Sequence, residues 1–168
     1  MKLRLLSTPL LIAVSIATNI TSARTMQNHK DAYIVIDKPA YRLYVIEKGD
    51  TIFRAPVCLA KNYGNKTRKG DHKTPEGTFK ICSIEDASSW SHDFHDGRGK
   101  IKGAYGPWFF RLNVKVSTHI GIHGTCFTES MGTRDSDGCN RLRNEDIVRL
   151  RPLVRKGMNV TITPDKVK

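Results

Sequence analysis

Short runs of alternating apolar and polar residues recur along the chain from about residue 31, and this two-residue period predicts β-strands. Turn-forming residues separate the runs, as at Asp37-Lys38-Pro39 and Lys48-Gly49-Asp50. The predicted strands are 33–36, 41–46, 51–59, 77–83, 108–114, 118–123 and 159–163. The first three follow one another closely, which is typical of an antiparallel meander.

One segment has the pattern of a helix. The apolar residues that recur near helical spacing in it are Ile147, Leu150 and Val154. Asn144 is expected to cap the helix at its start, and Pro152 limits its length. The whole pattern predicts a mainly β fold, with one short flanking helix, in a single domain over residues 31–168.

Two long polar stretches, 61–75 and 85–106, interrupt the strands. Connections longer than about 12–15 residues are uncommon and are often lids or binding loops. The second stretch contains Trp90 and Tyr105, whose rings we expect to grip an extended ligand.

The first residues have the architecture of a secretion signal. A basic start, Met1-Lys2-Leu3-Arg4, precedes an apolar run from Leu5 to Ala17, and small polar residues end at Ala23. The run is shorter than the roughly 20 apolar residues that a membrane span needs. We therefore predict a signal peptide over residues 1–23, export to the periplasm or cell-wall space, and no stable membrane anchor; a retained anchor is the alternative.

Composition places the chain among soluble globular proteins. It has 168 residues, 39% of them hydrophobic, and a formal net charge of +12. These values exclude collagen, a coiled coil, a polytopic membrane protein and a wholly disordered chain. A basic surface attracts polyanions, and export favours anionic wall polymers over nucleic acid, so no nucleic-acid partner is predicted. The alternative is that the lysines serve only solubility.

The four cysteines are Cys58, Cys82, Cys126 and Cys139. An even number outside the cytoplasm often indicates disulfides. Cys58 and Cys82 both lie in apolar, strand-like runs, where a free cysteine also fits as a small buried residue. A disulfide between these two and a pair of buried thiols are both consistent with the sequence.

Two glycine-flanked segments carry candidate chemistry: Ile120-Gly121-Ile122-His123-Gly124-Thr125 and Ser136-Asp137-Gly138-Cys139-Asn140-Arg141. On a strand, the two isoleucines would be buried and His123 would lie on the opposite face. Gly138 allows a sharp turn directly before Cys139, and such turns present backbone N–H groups to an oxyanion. A thiol needs a base to become a nucleophile, and His123 can serve as one.

Other interpretations of these residues stay open. Cys139 and His123 could be structural residues, or a zinc ion could be held by His119, His123, Asp137 and Cys139. On one strand, however, His119 and His123 would stand about 13 Å apart, too far to share an ion. No metal and no other cofactor is therefore predicted.

Taken together, the motifs resemble the YkuD-type family of L,D-transpeptidase catalytic domains. The segments that carry the resemblance are Lys73-Thr74-Pro75-Glu76-Gly77-Thr78-Phe79, Tyr105-Gly106-Pro107-Trp108, Ile122-His123-Gly124-Thr125 and Ser136-Asp137-Gly138-Cys139-Asn140-Arg141-Leu142. Their order along the chain matches that of the family. The resemblance implies a β-sandwich-like fold with a mixed sheet.

The resemblance also assigns roles to residues. It implies that Cys139 is the nucleophile, that His123 is the general acid/base, and that the backbone carbonyl of Gly124 orients His123. The backbone N–H groups of Asp137, Gly138 and Cys139 would form the oxyanion hole. For substrate binding it points to Arg141, Tyr105, Trp108 and Trp90.

Asp137 departs from the family, which usually has histidine at this position. An aspartate beside the nucleophile disfavours a thiolate unless a cation balances it, and we expect Arg134 or Arg141 to do so. Asp137→His should then alter activity without abolishing it.

The function implied is that of an exported enzyme acting on peptidoglycan stem tetrapeptides. A Cys thioester forms with release of D-Ala, and the acyl group passes to an amine in a 3-3 cross-link. An L,D-carboxypeptidase or a wall-protein amidase would use the same site. A non-catalytic peptidoglycan-binding module is the alternative from another class. We expect a monomer.

Overall fold

The computed structural model describes residues 29–166, so the signal peptide predicted for residues 1–23 lies outside the described residues. The strands are β1 (Tyr33–Asp37), β2 (Arg42–Glu47), β3 (Asp50–Pro56), β4 (Leu59–Ala60), β5 (Gly77–Asp86), β6 (Ser91–Asp93), β7 (Lys100–Lys102), β8 (Trp108–Leu112), β9 (Gly121–His123), β10 (Arg134–Ser136), β11 (Asn140–Arg141) and β12 (Asn159–Ile162). The helix α1 spans Asn144–Leu150, and 3-10 turns occupy Thr128–Ser130 and Arg151–Leu153.

Eight strands form one mixed sheet in the order β11-β9-β8-β5-β12-β1-β2-β3. β1 runs parallel to β12 and β11 parallel to β9, whereas the other neighbours are antiparallel. The predicted mainly β fold with a mixed sheet and a short flanking helix is confirmed. Among the described residues, no helix is long and apolar enough to cross a bilayer.

Strand alternation explains where the core lies. Successive side chains of a strand point to opposite faces, and in β1 and β2 every second residue is buried: Ile34, Ile36, Leu43 and Val45. Helix α1 adds the buried side chains of Ile147 and Leu150 to the same core. The apolar positions of the predicted pattern therefore form one continuous interior.

The large sheet curls until its two ends meet. The chain just after β3 pairs with β11, since Cys58 and Arg141 exchange backbone hydrogen bonds of 2.9 and 3.0 Å. Next to this contact, β4 runs parallel to β10. Both strands that flank residues 137–139 are thus paired with other strands, β10 with β4 and β11 with β9.

The largest differences from the sequence prediction lie in three segments, and most other strand ends differ by one to three residues. The strand predicted over 51–59 is divided into β3 and β4. The strand predicted over 118–123 begins only at Gly121. The polar stretch 85–106 is not one long loop, because β5 continues to Asp86 and β6 and β7 form a hairpin. This hairpin has almost no apolar pattern, so periodicity gives no sign of its strands.

The prediction that Asn144 caps the helix is wrong. The helix begins at Asn144, and Arg143 occupies the capping position without a side-chain hydrogen bond. The Asn144 side chain instead accepts a 3.0 Å hydrogen bond from the backbone N–H of Thr125. It therefore joins the helix to the chain just after β9.

All four cysteines are free thiols, so the disulfide considered between Cys58 and Cys82 is not formed. Cys58 is fully buried, with its sulfur 3.6 Å from the Leu59 carbonyl oxygen. Cys82 lies 3.4 Å from the carbonyl oxygen of Arg111. Cys58, between β3 and β4, and Cys82, within β5, occupy positions that a small apolar residue could take.

Candidate active site

A tight loop between β10 and β11 carries Cys139. The hydroxyl of Ser136 accepts a 3.2 Å hydrogen bond from the Gly138 N–H and donates one of 2.6 Å to the Cys139 carbonyl. Gly138 has φ +147°, and a Cβ added there would stand 2.8 Å from Cδ1 of Ile120. Only glycine fits both this backbone conformation and this space.

The thiol of Cys139 is held in its protonated form. Its sulfur donates a hydrogen bond to the His119 carbonyl oxygen, 3.3 Å away. Burial raises the pKa of Cys139 to about 11, although the Gly121 N–H and the charge of Arg141 act in the opposite direction. A thiol with this pKa is neutral at physiological pH.

His123, at the end of β9, is buried and fixed on two sides. Its Nδ1 lies 2.5 Å from the carbonyl oxygen of Gly124, the contact that the family resemblance implied. Its ring stacks on Phe109, with centroids 5.2 Å apart, and meets the edge of Tyr105 at 5.0 Å. Because Nδ1 donates to a carbonyl, Nε2 is left as an acceptor.

Burial lowers the pKa of His123 to about 3, although its bond to Gly124 favours the protonated ring. His123 is therefore neutral at physiological pH, like Cys139. Both residues line one cleft of about 450 Å³. Within the described part of the chain, the thiol hydrogen bond goes to His119 and not to the imidazole. The arrangement suits a base that takes the thiol proton as the sulfur attacks.

Gly124 and Gly106 let the helix approach the histidine. A Cβ on either glycine would collide with Oδ1 of Asn144, and one on Gly124 would also stand 3.0 Å from Cα of Gly106. The same Asn144 oxygen accepts the Thr125 N–H. The carbonyl that orients His123 is thereby held against the start of α1.

Aromatic residues form one wall of the cleft. Tyr105 lines it, with its hydroxyl 2.9 Å from Nδ1 of His92, and burial raises the pKa of Tyr105. Trp90 packs behind, 5.8 Å from the Tyr105 ring and 5.6 Å from Phe109, and lines a neighbouring pocket. Trp90 therefore supports the wall from outside the main cleft.

The prediction that Trp108 binds substrate is not supported by its position. Trp108 does not line the cleft. It packs against the core, and the Arg151 guanidinium lies 4.9 Å above its ring. Next along β8, Phe109 reaches the site instead, because neighbouring strand residues point to opposite faces.

Arg141 lines the cleft and is buried. It donates a 3.2 Å hydrogen bond to Asp135, and its guanidinium stands 5.6 Å from the Phe94 ring and 5.8 Å from the Phe127 ring. Phe94 and Phe127 contact each other across 4.9 Å. These rings connect the chain after β6 to residues beyond β9, beside the cleft.

Asp137 is paired with side chains other than the two arginines that were predicted. Its Oδ1 lies 3.1 Å from Nζ of Lys61 and 2.9 Å from Nδ1 of His72. Arg134 pairs with Asp165, and Arg141 with Asp135. Partial burial raises the pKa of Asp137, but the bonds from Lys61 and His72 outweigh it and lower the pKa. The expected neutralisation of Asp137 occurs through side chains distant in sequence.

The sequence does not indicate Lys66, a buried lysine that lines the cleft. Its Nζ pairs with Asp71 at 2.7 Å. A lysine in a polar stretch gives no local signal of burial, so only the three-dimensional fold identifies it. Within residues 29–166, no group of three or more His, Cys, Asp or Glu side chains is arranged to hold a metal.

Comparison with known families gives a match to the YkuD model, described as the L,D-transpeptidase catalytic domain, over residues 31–162. Among curated proteins, one of Bacillus licheniformis named as an L,D-transpeptidase YkuD is 39% identical over 129 residues, covering 76% of this chain and 68% of that protein.

Solved structures share the fold. An L,D-transpeptidase from Mycobacterium smegmatis superposes with a TM-score of 0.58 at 18% identity, covering 79% of this chain and 58% of that one. The catalytic domain of an Enterococcus faecium L,D-transpeptidase gives a TM-score of 0.57 at 19% identity, covering 80% and 99%. The chain thus spans less than two thirds of the first of these structures and nearly all of the second.

Proposed function

The chain belongs to the L,D-transpeptidase catalytic domain family, a family of enzymes, and from this premise we propose that it is a cysteine acyltransferase acting on peptidoglycan stem tetrapeptides. The donor would be the peptide bond between the third residue and a terminal D-Ala. The cleft that holds Cys139 and His123 would receive this end of the stem peptide.

In the first half-reaction, the Cys139 sulfur attacks the carbonyl carbon of that bond. The thiol proton passes to Nε2 of His123, and the carbonyl π electrons move to the oxygen to form a tetrahedral oxyanion. When the oxyanion collapses, the C–N bond breaks and His123 gives its proton to the departing amine. The products are a Cys139 thioester and free D-Ala.

In the second half-reaction, an amine of another stem peptide attacks the thioester carbon. His123 accepts the amine proton, and the C–S bond breaks as the new amide forms. The proton then returns to the sulfur, which restores the thiol. With water as the acceptor, the same steps would give a carboxylic acid, and the enzyme would be an L,D-carboxypeptidase. With a wall-linked protein as the leaving group, it would be an amidase.

The observation that carries this proposal is the fixed tautomer of His123 in a cleft shared with Cys139. The hydrogen bond from Nδ1 to Gly124 leaves Nε2 free to accept a proton. Burial keeps the imidazole and the thiol both neutral. A neutral base and a neutral thiol are the protonation states that proton transfer during attack requires.

The test is mass spectrometry of purified disaccharide-tetrapeptide after incubation with the protein. We expect a cross-linked dimer and released D-Ala from the unsubstituted protein, and neither from Cys139→Ala or His123→Ala. Cys126→Ala is the matched control, because it removes an exposed thiol and should retain activity.

Other products would change the assignment. Monomeric tripeptide without dimer would identify a carboxypeptidase. Binding of the disaccharide-tetrapeptide without any product, unchanged in Cys139→Ala, would contradict catalysis and favour a binding module. We also propose that the protein works outside the cytoplasm, where peptidoglycan lies. Cell fractionation of the full chain and of a form lacking residues 1–23 would test this location.

A further inference from the structure

Lys66 is a buried charge in the cleft that the proposed reaction has not used. Its side chain is 2% exposed, and its Nζ forms an ion pair with Asp71. An ammonium group has three N–H donors. Among the described residues, Asp71 is the one hydrogen-bond acceptor that Lys66 contacts, so two of the donors have no protein partner.

The ammonium of Lys66 lies beside the nucleophile loop. A Cβ placed on Gly138 would stand 3.5 Å from Nζ of Lys66. Gly138 directly precedes Cys139, and Lys66, Gly138 and Cys139 line the same cleft. Positive charge from Lys66 also favours the ionised form of Cys139. The lysine is therefore close enough to act on charge that develops at the loop.

The surrounding chain holds Lys66 in place. Asp71 accepts the lysine and three backbone N–H groups, those of Thr67, Arg68 and Lys73, at 2.7–3.2 Å. These bonds outweigh the effect of burial and keep the pKa of Asp71 well below its usual range. Asp71 is thus a carboxylate that closes the loop over residues 66–73 and fixes the lysine at its start.

The chain before Lys66 is anchored as well. Gly64 donates its N–H to Asp165 at 2.7 Å, and its carbonyl accepts a 3.1 Å hydrogen bond from Lys38. Lys38 is itself fully buried and paired with Glu76 at 2.6 Å. The chain on both sides of Lys66 is thus fixed, and its ammonium group is preorganised. Stabilisation of a transition-state charge requires such preorganisation.

The backbone N–H groups of residues 137–139 are not all available to an oxyanion, so a further donor such as Lys66 could contribute. The Gly138 N–H is engaged by the Ser136 hydroxyl at 3.2 Å. One of the three N–H groups implied for the oxyanion hole is thus committed to the loop itself.

We propose that Lys66 is a catalytic residue whose ammonium donates to the oxyanion formed when Cys139 attacks a carbonyl. This inference rests on the proposed acyl transfer and adds a charged donor to the backbone groups. Since the charge on the oxygen appears only in the tetrahedral intermediate, Lys66 would accelerate attack on a carbonyl and contribute little to substrate binding.

The experiment compares two reactions of the same thiol in the folded protein. Acylation of Cys139 by p-nitrophenyl acetate passes through an oxyanion, whereas alkylation by iodoacetamide does not. In Lys66→Met we expect acylation to fall about 10²–10³-fold, the usual effect of removing one oxyanion donor. Alkylation, which responds only to the pKa of the thiol, should fall less than about tenfold. Peptide mapping follows Cys139 separately from the other cysteines.

Arg68→Met is the matched control, because it removes one positive charge from the same loop and the Arg68 side chain does not line the cleft. Its rates of acylation and alkylation should both stay near those of the unsubstituted protein. Lys66→Gln keeps an N–H donor for Asp71 and provides a folded variant if Lys66→Met does not fold. Lys66→Arg, which keeps the charge, should recover part of the acylation rate.

An equal loss of acylation and alkylation in Lys66→Gln would mean that the lysine acts through the thiol or the fold, and would overturn the proposal. So would unchanged acylation. With disaccharide-tetrapeptide as substrate, we expect Lys66→Gln to have a lower kcat at similar KM. A raised KM with unchanged kcat would instead indicate that Lys66 binds substrate, and would contradict the proposal. The acylation experiment needs no peptidoglycan, so a failure of the proposed substrate would be recognised separately.

Discussion

Raising the pH should increase the reactivity of Cys139 steeply and without a plateau in the physiological range. Burial raises the pKa of this thiol from an ordinary 9.0 to about 11. Because each pH unit below the pKa lowers the thiolate fraction tenfold, at pH 7.5 about 3% of an ordinary thiol is ionised, against about 0.03% of Cys139. Alkylation of Cys139 should thus be about 100-fold slower than that of an ordinary thiol.

The assay is alkylation by iodoacetamide between pH 5 and 11, followed at Cys139 by peptide mapping. The thiolate is the reacting species, so the rate should rise about tenfold for each pH unit and level off only near pH 11. His123→Ala should leave this profile within about half a unit of pH, because a histidine with a pKa of about 3 carries no charge in that range.

A resting ion pair of thiolate and imidazolium would give a different result. The alkylation rate would then level off below pH 8, and His123→Ala would move the midpoint to higher pH. Either outcome would refute the argument that burial keeps both groups neutral. Turnover of disaccharide-tetrapeptide should still be lost in His123→Ala, because the base is needed when the sulfur attacks.

Three further changes test other parts of the structure. Asp71→Asn should lower the free energy of unfolding by about 3 kcal/mol in urea denaturation at pH 7, since it breaks a buried ion pair. Because folding lowers the pKa of Asp71, this stabilisation is present above the unfolded-state pKa of 3.8 and is lost as the pH falls below that value. The difference in stability between the two proteins should therefore shrink at pH 3. Gly124→Ala should cost about 1–3 kcal/mol by collision with Asn144, and a variant as stable as the unsubstituted protein would contradict the close approach. Trp108→Leu should lower the melting temperature but leave KM within about twofold, because its ring lies outside the cleft; a large increase in KM would return Trp108 to the binding site.

The sequence predicts the parts of the fold that depend on apolar periodicity. β1, β2 and the helix follow from alternating or helical spacing, because their buried faces are made by the residues themselves. Apolar periodicity does not predict the hairpin of β6 and β7, since its strands are short and polar, and the contact of His92 with Tyr105 depends on the fold. The residue type of Asn144 suits a helix cap, whereas tertiary contacts give its side-chain oxygen another partner.

The candidate site likewise contains residues that the local sequence indicates and residues whose placement depends on tertiary contacts. Glycine-flanked motifs indicate His123 and Cys139 directly, since both sit next to the backbone that orients them. The side chains that pair with Asp137, Lys61 and His72, lie 76 and 65 residues away in sequence, and no local pattern joins them to it. Lys66 differs from the exposed lysines around it only by burial, which depends on Asp71 and on the anchored Gly64.

The pairing of Cys58 with Arg141 has a consequence for the order in which the protein acquires reactivity. β11 is held on one side by β9 and on the other by the chain after β3, and β1 is joined to β12 near the opposite end of the sequence. Contacts of such high sequence separation form slowly and late, since loop-closure entropy must be overcome first. A partly folded chain would therefore carry a cysteine without its base or its oxyanion donors. Acyl transfer would therefore begin only once the sheet is fully paired, whereas the Cys139 thiol of an unfolded chain, with its ordinary pKa, would be alkylated faster than the buried one.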